Sequence, residues 1–384
     1  MEENEKKKIA IVLDGAVVGG IETALIQMLR KIDTNRCEIH LFTNVLGNPC
    51  IGQIPACIKV IDLNNFDLRT NFLKAIRQRK LERAMILLRS YYRLRRSKSE
   101  FEKVKFSQES FSLSELMFDC AIAYKASWGS VLWATDHIHA RKKVGWVHGK
   151  VWGARDQKWI EKLDKLFCVS EDAKRYIESV CPDMIGKTEI LHNLLDSDKI
   201  ISMAAEYVAM EPGINLVTVG RLSSEKGQNL IPETVRLLLD KGYHVKWYIV
   251  GDGILRSDIE RLCKEFEVED DVIFTGTKSN PYSYMKNCDI YVQTSYEEGW
   301  GMTVQEAKIL HRPIITTDIP AMREQITHMK NGYIAEEITP EALCEGIKIL
   351  LDNPMLCEKF ADELRKESHD NSQELEKLYA FIES

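Results

Sequence analysis

The sequence lacks any run approaching the ~18–20 consecutive apolar residues that a membrane-spanning helix needs, which excludes an integral membrane architecture for these 384 residues. Its first residues lead into the strand-like stretch IAIVLD and not into an apolar signal-peptide core with a small-residue cleavage site. We therefore expect a cytoplasmic protein.

Cysteine occurs ten times, from Cys37 to Cys357, but no two cysteines form a C-x-x-C pair. In a cytosolic chain such scattered cysteines are expected to be buried thiols, and neither disulfides nor a zinc site are predicted. A hydrophobic content of 45% with 29% charged residues excludes disorder, collagen and coiled coil as the main architecture. At ~100–200 residues per domain, the length indicates two or three domains.

Charge is distributed unevenly along the chain, whose formal net charge is −6. Residues 69–98, which we call the basic segment, contain eleven Lys and Arg and one acidic residue, Glu82, so the segment carries +10 and the rest of the chain −16. The bases are Arg69, Lys74, Arg77, Arg79, Lys80, Arg83, Arg89, Arg93, Arg95, Arg96 and Lys98. Apolar residues recur there at three- and four-residue steps with a gap at Lys80, which is typical of an amphipathic helix or helix pair. They are Leu73, Ile76, Ala84, Leu87, Tyr91 and Leu94.

Three interpretations of the basic segment are open from the sequence. The segment is a solvated helical face whose apolar stripe packs on its own domain, or an amphipathic helix that lies on an anionic membrane surface. The third interpretation is binding to nucleic acid through phosphates. It is the least favoured, because no recognised nucleic-acid module surrounds the bases, and no nucleic-acid partner is expected.

Short apolar runs of strand length alternate with helix-length periodic segments along the chain, which predicts parallel sheets covered by helices on both faces. In the middle of the chain, Ser170 is placed as the N-cap of a helix with Glu171 and Asp172 in its first turn. The predicted strands are IAIVLD, EIHLFTN, IKVID, DCAIAYK, KKVGWVH, KLFCVS and TEILHN in the first half, and INLVTVGR, KWYIVGDG, VIFTGT, DIYVQTS, PIITTD and GYIAE in the second.

Two such sets predict an α/β protein with two doubly wound, Rossmann-like domains that face each other across a cleft. The first domain is expected at residues 1–195 and the second at residues 214–369, with the polar stretch 196–213 as the hinge. A C-terminal helix at about 370–384 is expected to pack back on the first domain. Ligands of open α/β sheets bind beyond the carboxyl ends of the strands, so functional residues are expected on the strand-to-helix loops.

Two glycine-containing loops are the first candidates. The loop GAVVGGIET contains Gly15, Gly19 and Gly20, which allow a tight turn and close approach of an anion to a helix N-terminus. It is not G-x-G-x-x-G, so the dinucleotide-binding fingerprint is absent. The loop GRLSSEKG places Arg221 and Lys226 five residues apart, where both can reach one pyrophosphate.

Two later loops follow strands of the second half. YIVGDG contains Gly251 and Gly253, which permit close backbone approach. SYEEGWGMTVQEA places Glu298 in a loop and Glu306 inside the following helix, whose N-terminus near Met302 offers N–H groups to a phosphate. Carboxylates there can accept hydrogen bonds from sugar and ribose hydroxyls. Taken singly, each of these loops also fits a plain turn or solvated surface charges.

The ordered motifs GGIE, GRLSSEKG, VGDG, EGWG with its E-x7-E spacing, RPIITTDIPAMRE and NGYIAE resemble the family 4 retaining glycosyltransferases of GT-B fold. The resemblance spans most of the chain and is strongest from Gly220 to Glu336. It implies transfer of a sugar from a nucleotide-sugar with retained anomeric configuration. Base rates in such families favour UDP over GDP, and the implied acceptor is a glycan or lipid-linked sugar in bacterial surface polysaccharide synthesis.

The resemblance also implies roles for individual residues. The implied catalytic residues are Arg221 and Lys226 on the donor diphosphate, Glu298 on the sugar hydroxyls, and His148 of GWVHGK facing the transferred sugar. Glu306 would bind the ribose. The other implied donor-binding residues are Gly19, Gly20, Gly251, Thr277, Lys278, Gly299, Trp300, Gly301, Met302 and Thr303, of which Thr277 and Lys278 would frame the base.

The chain departs from the family pattern at two places. His192-Asn193-Leu194 stands where Pro-Asn-Gly is frequent, and His311 stands where a glycine is frequent. Because leucine does not adopt a positive φ as cheaply as glycine, the loop at Leu194 is expected to differ.

The implied chemistry is a front-face displacement. The leaving phosphate takes the acceptor's proton, and the cations at 221 and 226 stabilise the developing charge. These cations do the work of a metal, so neither a metal nor a cofactor is expected. Two other interpretations stay open: a relative such as a nucleotide-sugar epimerase, and a catalytically silent protein that binds nucleotide-sugar or membrane. We expect a cytoplasmic location, at the inner face of the plasma membrane if the basic segment binds lipid.

Overall fold

The computed structural model describes residues 5–14, 19–44, 52–63, 68–96, 116–125, 127–150 and 157–384. The chain divides into two compact units, Met1–Leu194 with Ser372–Ser384 as the first and Leu195–Asn371 as the second. Gly15 of the first glycine loop and Lys98 of the basic segment lie outside the described residues, as do the side chains of Arg69, Lys74 and Leu94.

The described residues of the first unit form one parallel sheet in the order β3-β2-β1-β4-β5-β6-β7. Ile9 of the central strand lies opposite Ile39 on one side and Cys120 on the other, and all three are buried. Rows of apolar side chains therefore cross the sheet from strand to strand. The strands are β1 (Lys7–Leu13), β2 (Cys37–Thr43), β3 (Lys59–Asp62), β4 (Met117–Ala123), β5 (His139–Val147), β6 (Lys165–Cys168) and β7 (Thr188–Ile190).

The second unit contains a parallel sheet in the order β10-β9-β8-β11-β12-β13. Its strands are β8 (Ile214–Val219), β9 (Val245–Val250), β10 (Val272–Gly276), β11 (Ile290–Gln293), β12 (Ile314–Thr316) and β13 (Tyr333–Ile334). In each sheet the order reverses beside the first strand, between β1 and β4 and between β8 and β11. Such a switch point leaves a crevice at the carboxyl ends of the two strands, where ligands of this architecture bind.

The predicted fold class of two doubly wound, Rossmann-like halves is confirmed. All thirteen predicted strands occur in the described part of the chain, with ends that differ from the predicted ones by at most three residues. The predicted cap is also present, because the Ser170 hydroxyl accepts a hydrogen bond from the Ala173 N–H at 3.1 Å.

The α-helices of the described residues lie between these strands, apart from the last three, which follow β13. They are α1 (Gly20–Lys31), α2 (Leu68–Arg77), α3 (Leu81–Arg96), α4 (Trp128–Leu132), α5 (Gln157–Ile160), α6 (Glu171–Val180), α7 (Ser197–Ala204), α8 (Ile231–Asp240), α9 (Arg256–Glu265), α10 (Tyr282–Asn287), α11 (Met302–Ile309), α12 (Pro320–Arg323), α13 (Pro340–Leu351), α14 (Pro354–Lys366) and α15 (Glu374–Glu383). Within the described ranges, no helix combines the length and the apolar character needed to cross a membrane.

Two polar groups in the core of the second unit are paired with each other. Trp247 of β9 is fully buried, and its Nε1 donates to the Thr218 hydroxyl of β8 at 3.0 Å. That hydroxyl donates in turn to the Val292 carbonyl of β11 at 2.7 Å. Since an unpaired buried polar group is costly, this chain of bonds favours one alignment of the three strands that carry the switch point.

Residues 196–213, the expected hinge, belong to the second unit and include α7. The Asp196 carboxylate caps this helix by accepting the Lys199 N–H at 3.2 Å. Ile200 and Ala204 of α7 are buried in an apolar cluster of the second unit. The chain passes from the first unit to the second at Leu194–Leu195 and returns to the first at Asn371–Ser372.

Helix α15 belongs to the first unit. The Asp33 N–H donates to the Tyr379 hydroxyl at 2.7 Å. Arg36 binds the carboxylates of Glu376 and Glu383, and its guanidinium lies 4.1 Å from the centre of the Tyr379 ring. The buried side chains of the helix are Leu375, Leu378, Tyr379 and Ile382.

The basic segment contains a helix pair, α2 and α3. Part of the predicted stripe is internal to the pair, because Ala84 and Leu87 form a small buried cluster with Ala75 and the partly buried Phe72. Leu73, Ile76 and Tyr91 of the predicted stripe are exposed instead. A second apolar row runs along α3 at i, i+4, i+7 and i+11 and was not predicted. We call it the exposed row: Leu81, Met85, Leu88 and Tyr92, which are 71%, 57%, 41% and 58% exposed.

We expect Leu378→Ala to lower the free energy of unfolding of the first unit by about 2–5 kcal/mol, because it empties a buried position under α15. Thermal unfolding followed by circular dichroism measures the loss. Glu383→Ala is the control on the same helix, since an exposed ion pair contributes only ~0–1 kcal/mol. Equal effects of the two changes would contradict the packing of α15.

Candidate active site

Two loops of the second unit meet beyond the carboxyl ends of β8 and β11, the strands that flank the switch point. The first loop contains Lys226 and the second contains Glu298. The N–H groups of Tyr296 and Glu297 donate to the carbonyl of Glu225 at 2.9 and 3.2 Å, which ties the loops together.

The two loops approach most closely at Gly227, whose φ is 65°. A Cβ at this position would overlap the carbonyl oxygen of Thr294. The Thr294 hydroxyl also donates to the Lys226 carbonyl at 2.8 Å. Glycine is therefore favoured at position 227 for two reasons: the backbone is left-handed there, and a side chain would collide with the opposite loop.

Lys226 and Glu298 form an ion pair where the loops meet. The Lys226 Nζ lies 2.6 and 2.7 Å from the two carboxylate oxygens. The Glu298 side chain is 7% exposed and that of Lys226 is 24% exposed. The structure thus brings two of the expected catalytic residues into direct contact.

Two further groups bind the Glu298 carboxylate. The Gln293 Nε2 donates to Oε1 at 3.0 Å, and the Ser295 hydroxyl donates to the same oxygen at 2.8 Å. Neither residue was identified from the sequence. The signal that the sequence offered was a polar group on every second residue, at Tyr291, Gln293 and Ser295, where an apolar strand ends. Ser295 stands three residues before Glu298.

The first loop contains two cations, Arg221 and Lys226. Arg221 is exposed at the start of the loop, and its carbonyl accepts the Gln228 amide at 2.9 Å. Burial acts to raise the pKa of the Glu225 carboxyl, but the Ser223 hydroxyl and the charges of Lys226 and Arg221 bring it below its ordinary value. A second anion, such as a diphosphate, would be stabilised by the same two cations.

The glycine-rich part of the second loop, residues 299–301, leads into α11. Gly301 has φ 83°, and a Cβ there would overlap the Met322 side chain. The Trp300 indole is buried in the unit, and the Trp300 carbonyl accepts the Gln325 amide. Expected donor contacts of Gly299, Trp300 and Gly301 are therefore backbone contacts, next to the N–H groups of the first turn of the helix.

Glu306 lies inside α11 and is buried. The Tyr282 hydroxyl donates to its Oε1 at 3.2 Å. Burial raises the pKa of Glu306 to about 8, and the bond from Tyr282 offsets only part of this rise. At neutral pH the carboxyl group carries a proton, so it can both donate to and accept from a ribose hydroxyl.

Three further expected residues of the second unit lie at the ends of β9 and β10, and Met302 and Thr303 begin α11. Gly251 forms an isolated bridge with Gly276, and its N–H donates to the Gly276 carbonyl at 3.0 Å. A Cβ at Gly251 would overlap the Gly220 carbonyl, so backbone packing alone already requires glycine there. Thr277 and Lys278 are exposed just beyond β10.

In the first unit, Gly19 and Gly20 lie at the start of α1, beyond the carboxyl end of β1. The Gly19 carbonyl accepts both the N–H and the hydroxyl of Thr23, at 3.2 and 3.1 Å. A Cβ at Gly20 would meet open space, so packing within the unit does not require glycine at that position.

His148 follows β5 of the first unit, and its ring stacks on Trp146 with an interplanar angle of 13°. Its Nε2 lies 2.8 Å from the Tyr124 carbonyl oxygen. Because a carbonyl only accepts, Nε2 carries the proton. Burial lowers the pKa of His148 to about 4, so the neutral ring presents Nδ1 as an acceptor.

Within the described ranges, no group of three or more His, Cys, Asp and Glu side chains is arranged to hold a metal ion. The positive charge next to Glu298 comes from Lys226 at the loop junction.

We expect the free energy of unfolding of the protein, taken relative to that of Glu306→Gln, to fall as the pH rises from about 4.5 to about 8, because His148 and the other titrating groups are common to both proteins. The pKa of Glu306 is raised in the folded state, so its contribution is complete below the unfolded pKa and is lost as the pH passes the folded one. The loss is at most about 1.4 kcal/mol per pH unit. Thermal unfolding across this range should show the slope in the difference between the unchanged protein and Glu306→Gln. The exposed Glu337→Gln is the control; a slope unchanged in Glu306→Gln would contradict the assignment.

In the comparison with known protein families, the match lies in the second unit. Residues 205–367 match the family model described as glycosyl transferases group 1. The N-acetylgalactosamine-N,N'-diacetylbacillosaminyl-diphospho-undecaprenol 4-alpha-N-acetylgalactosaminyltransferase of Campylobacter jejuni is 29% identical over 183 residues, 47% of this chain and 48% of that protein. The chain spans about half the length of the curated relatives it matches.

Solved structures extend the likeness to both units. Anabaena HepE in complex with UDP has a TM-score of 0.69 at 13% identity, over 98% of this chain and 99% of its own. A Staphylococcus aureus TarM variant in complex with fondaparinux, alpha-GlcNAc-glycerol and UDP has a TM-score of 0.71 at 15% identity, over 98% of this chain and 100% of its own. At these identities the structural likeness concerns the fold. The chain thus has the GT-B fold, and its residues 205–367 are similar to the group 1 glycosyl transferases.

Proposed function

We propose that this chain transfers a sugar, with retained configuration, from a UDP-sugar to a glycan or lipid-linked acceptor in bacterial surface polysaccharide synthesis. The observation that carries the proposal is the Lys226–Glu298 pair at the switch point of the second sheet. A cation suited to a diphosphate and a carboxylate suited to sugar hydroxyls lie side by side there, and a nucleotide-sugar carries both of these groups on adjacent atoms.

The comparisons support the donor and the acceptor classes. UDP is present in the HepE and TarM structures, and diphospho-undecaprenol is part of the name of the C. jejuni relative. We therefore assign UDP as the carrier and a lipid-linked glycan as the favoured acceptor of this chain.

Lys226 can contact a diphosphate without leaving Glu298. An ammonium group has three N–H donors, of which two point to the carboxylate oxygens. The third is available to a phosphate oxygen, while the exposed Arg221 offers a bidentate guanidinium. Both cations then stabilise the charge that grows on the diphosphate as it leaves.

The transfer step breaks the bond between the anomeric carbon and the diphosphate oxygen. The acceptor hydroxyl oxygen forms its bond to that carbon on the same face, and its proton passes to the leaving phosphate oxygen. Glu298 is unsuited to act as a nucleophile, because Lys226, Gln293 and Ser295 already bind its carboxylate. A neutral His148 is better suited to accept a hydrogen bond from a sugar hydroxyl than to stabilise a negative charge.

We expect Arg221→Ala and Lys226→Ala each to lower kcat by roughly a hundredfold or more, because each removes charge stabilisation that develops in the transition state. The measurement is turnover of radiolabelled UDP-sugars with a bacterial lipid extract. Transfer to lipid supports the proposal, whereas isomerised sugar nucleotide would indicate an epimerase and no product a silent binding protein.

Lys264→Ala on α9 is the matched control, since it removes a lysine far along the chain from both loops. Arg221→Ala is the cleaner of the two site variants, because Arg221 is exposed whereas Lys226 is the partner of a buried carboxylate. A kcat unchanged in both site variants would refute the diphosphate assignment.

We also propose that the α2–α3 pair binds an anionic membrane surface, which would bring the enzyme to a lipid-linked acceptor. The exposed row on α3 supports this proposal, because four apolar side chains in helical register remain in solvent. The helix pair also carries exposed bases, with Glu82 as the single acid of residues 69–98: Arg77, Arg79, Lys80, Arg83, Arg89, Arg93, Arg95 and Arg96. Apolar side chains and bases on one helix pair match acyl chains and anionic headgroups.

We expect changing Arg93, Arg95 and Arg96 together to Gln to weaken vesicle binding by ~3 kcal/mol at most, and less at high salt. Changing Met85 and Leu88 to Gln should remove a part of the binding that salt does not affect, because it depends on apolar burial. Co-sedimentation with phosphatidylglycerol vesicles at low and high salt measures both effects. Turnover of a short soluble acceptor should persist in all variants.

Met355→Gln is the control for the apolar change, since Met355 is 84% exposed on the second unit. The membrane proposal fails if the unchanged protein stays in the supernatant at low salt. It also fails if the basic and apolar variants sediment as the unchanged protein does, and the helix pair is then a solvated face of the first unit.

A further inference from the structure

Gln293 is a buried polar residue at the last position of β11, where it is 2% exposed. The proposed chemistry does not use it, and the strand is otherwise apolar at this depth. An amide side chain without partners would be costly at such a position, so its contacts indicate what it does there.

All four hydrogen-bonding sites of the Gln293 amide are occupied. Its Oε1 accepts the Tyr291 hydroxyl at 2.7 Å and the Thr303 hydroxyl at 3.0 Å. Its Nε2 donates to the Ser295 hydroxyl at 2.7 Å and to Glu298 Oε1 at 3.0 Å. Two acceptor and two donor positions are the full capacity of a glutamine side chain.

The orientation of this amide is fixed by Glu298. Three of its four partners are hydroxyls, which can either donate or accept, so they would tolerate a flipped amide. A carboxylate in an ion pair with Lys226 can only accept, and a flipped amide would place two acceptor oxygens against each other. The arrangement with Nε2 towards Glu298 is therefore the favoured one.

The two oxygens of Glu298 consequently differ. Oε1 accepts from Lys226, Gln293 and Ser295, at 2.6, 3.0 and 2.8 Å. For Oε2 the structure gives the Lys226 Nζ at 2.7 Å. A carboxylate oxygen has two lone-pair directions, so Oε1 is saturated and Oε2 retains capacity for one further donor.

We propose that Gln293 is a positioning residue that holds Glu298 Oε1 in place and so presents Oε2 to a hydroxyl of the donor sugar. The inference rests on the proposed function, because it assigns the geometry behind the role of Glu298. Gln293 itself touches neither the sugar nor the nucleotide. It acts through Glu298, with Tyr291 and Thr303 fixing its amide from the strand and from α11.

Gln293→Glu is the most informative variant, because it keeps the size of the side chain and replaces the donating amide with a titratable group. When the new carboxyl holds a proton, it can donate to Glu298 as the amide does. When both groups are ionised, two like charges about 3 Å apart repel each other, and such a pair shares one proton with a raised pKa.

We therefore expect kcat/KM of Gln293→Glu, divided by that of the unchanged protein, to fall as the pH rises, by roughly tenfold per pH unit above the pKa of the pair. The ratio is needed because other titratable groups face this carboxylate. Lys226 and Glu225 belong to the first loop, Tyr291 to the same strand and Glu306 to α11. Their titration affects both proteins and cancels in the ratio, apart from their interaction with the new carboxyl.

Gln293→Leu separates positioning from a merely structural role. Leucine cannot donate to Glu298, so binding of UDP-glucose or UDP-N-acetylglucosamine should weaken about tenfold or more, whichever of the two the unchanged protein binds. Binding of UDP alone should stay within twofold, because Glu298 is assigned to the sugar. Calorimetry with UDP and with the UDP-sugar measures the split below the unfolding temperature of each variant.

Asn215→Asp is the matched control, a buried amide at the opposite end of β8 whose Nδ2 donates to the Glu211 and Gly213 carbonyls. It should lower the unfolding temperature, and its kcat/KM divided by that of the unchanged protein should not change with pH. A kcat/KM ratio for Gln293→Glu that does not change with pH, or equal losses of UDP and UDP-sugar binding in Gln293→Leu, would overturn the positioning role.

If the unchanged protein binds no UDP-sugar, the proposed function fails instead. The inferred contact then still predicts that unfolding temperatures of ligand-free Gln293→Glu fall with pH relative to the unchanged protein, and parallel curves would refute it.

Discussion

The candidate site of the second unit depends on one partly buried ion pair, Lys226–Glu298, whose carboxylate is the more buried partner. Removing two charges from water costs several kcal/mol per ion, so such a pair needs further hydrogen bonds to be tolerated. Gln293 and Ser295 provide them at one oxygen of Glu298. The loops after β8 and β11 cannot separate without leaving a buried charge unpaired, a loss on the order of 3–5 kcal/mol. The proposed donor site is therefore assembled before a ligand arrives, which would reduce the ordering that binding requires.

Backbone packing imposes a second constraint on the same edge. Cβ atoms at Gly227, Gly251 and Gly253 would each overlap a backbone carbonyl of a neighbouring loop. These glycines bring loop backbones into contact with each other, and the ion pair forms next to the contact made by Gly227. Glycine in these motifs thus has a structural reason as well as the expected one of close approach to a ligand, and for Gly251 the contact with Gly220 is sufficient by itself.

Local sequence patterns predicted the strands, the Ser170 cap and the loops of the candidate site, because each depends on period, capping or turn chemistry. The contact between Lys226 and Glu298 joins residues that are 72 positions apart in the sequence, so no local pattern predicts it. Gln293 cannot be told from any other strand residue until its neighbours in the fold are known. The exposed row of α3 was missed because helical periodicity does not say which of two apolar rows is covered. The departure at His311 is explained by position: it follows the last turn of α11 with φ 54°, where glycine is usual and histidine is strained.

Environment gives the two carboxyl groups of the E-x7-E motif different chemistry. Glu298 lies against an ammonium group and two neutral donors, which suits a permanent negative charge that accepts from sugar hydroxyls. Glu306 is buried with the Tyr282 hydroxyl, and its pKa of about 8 keeps it protonated at neutral pH. In the proposed function, a protonated carboxyl would bind a ribose without placing a second negative charge near the departing diphosphate. Two acidic residues would then serve one donor while the cations of the first loop remain available for the phosphate charge.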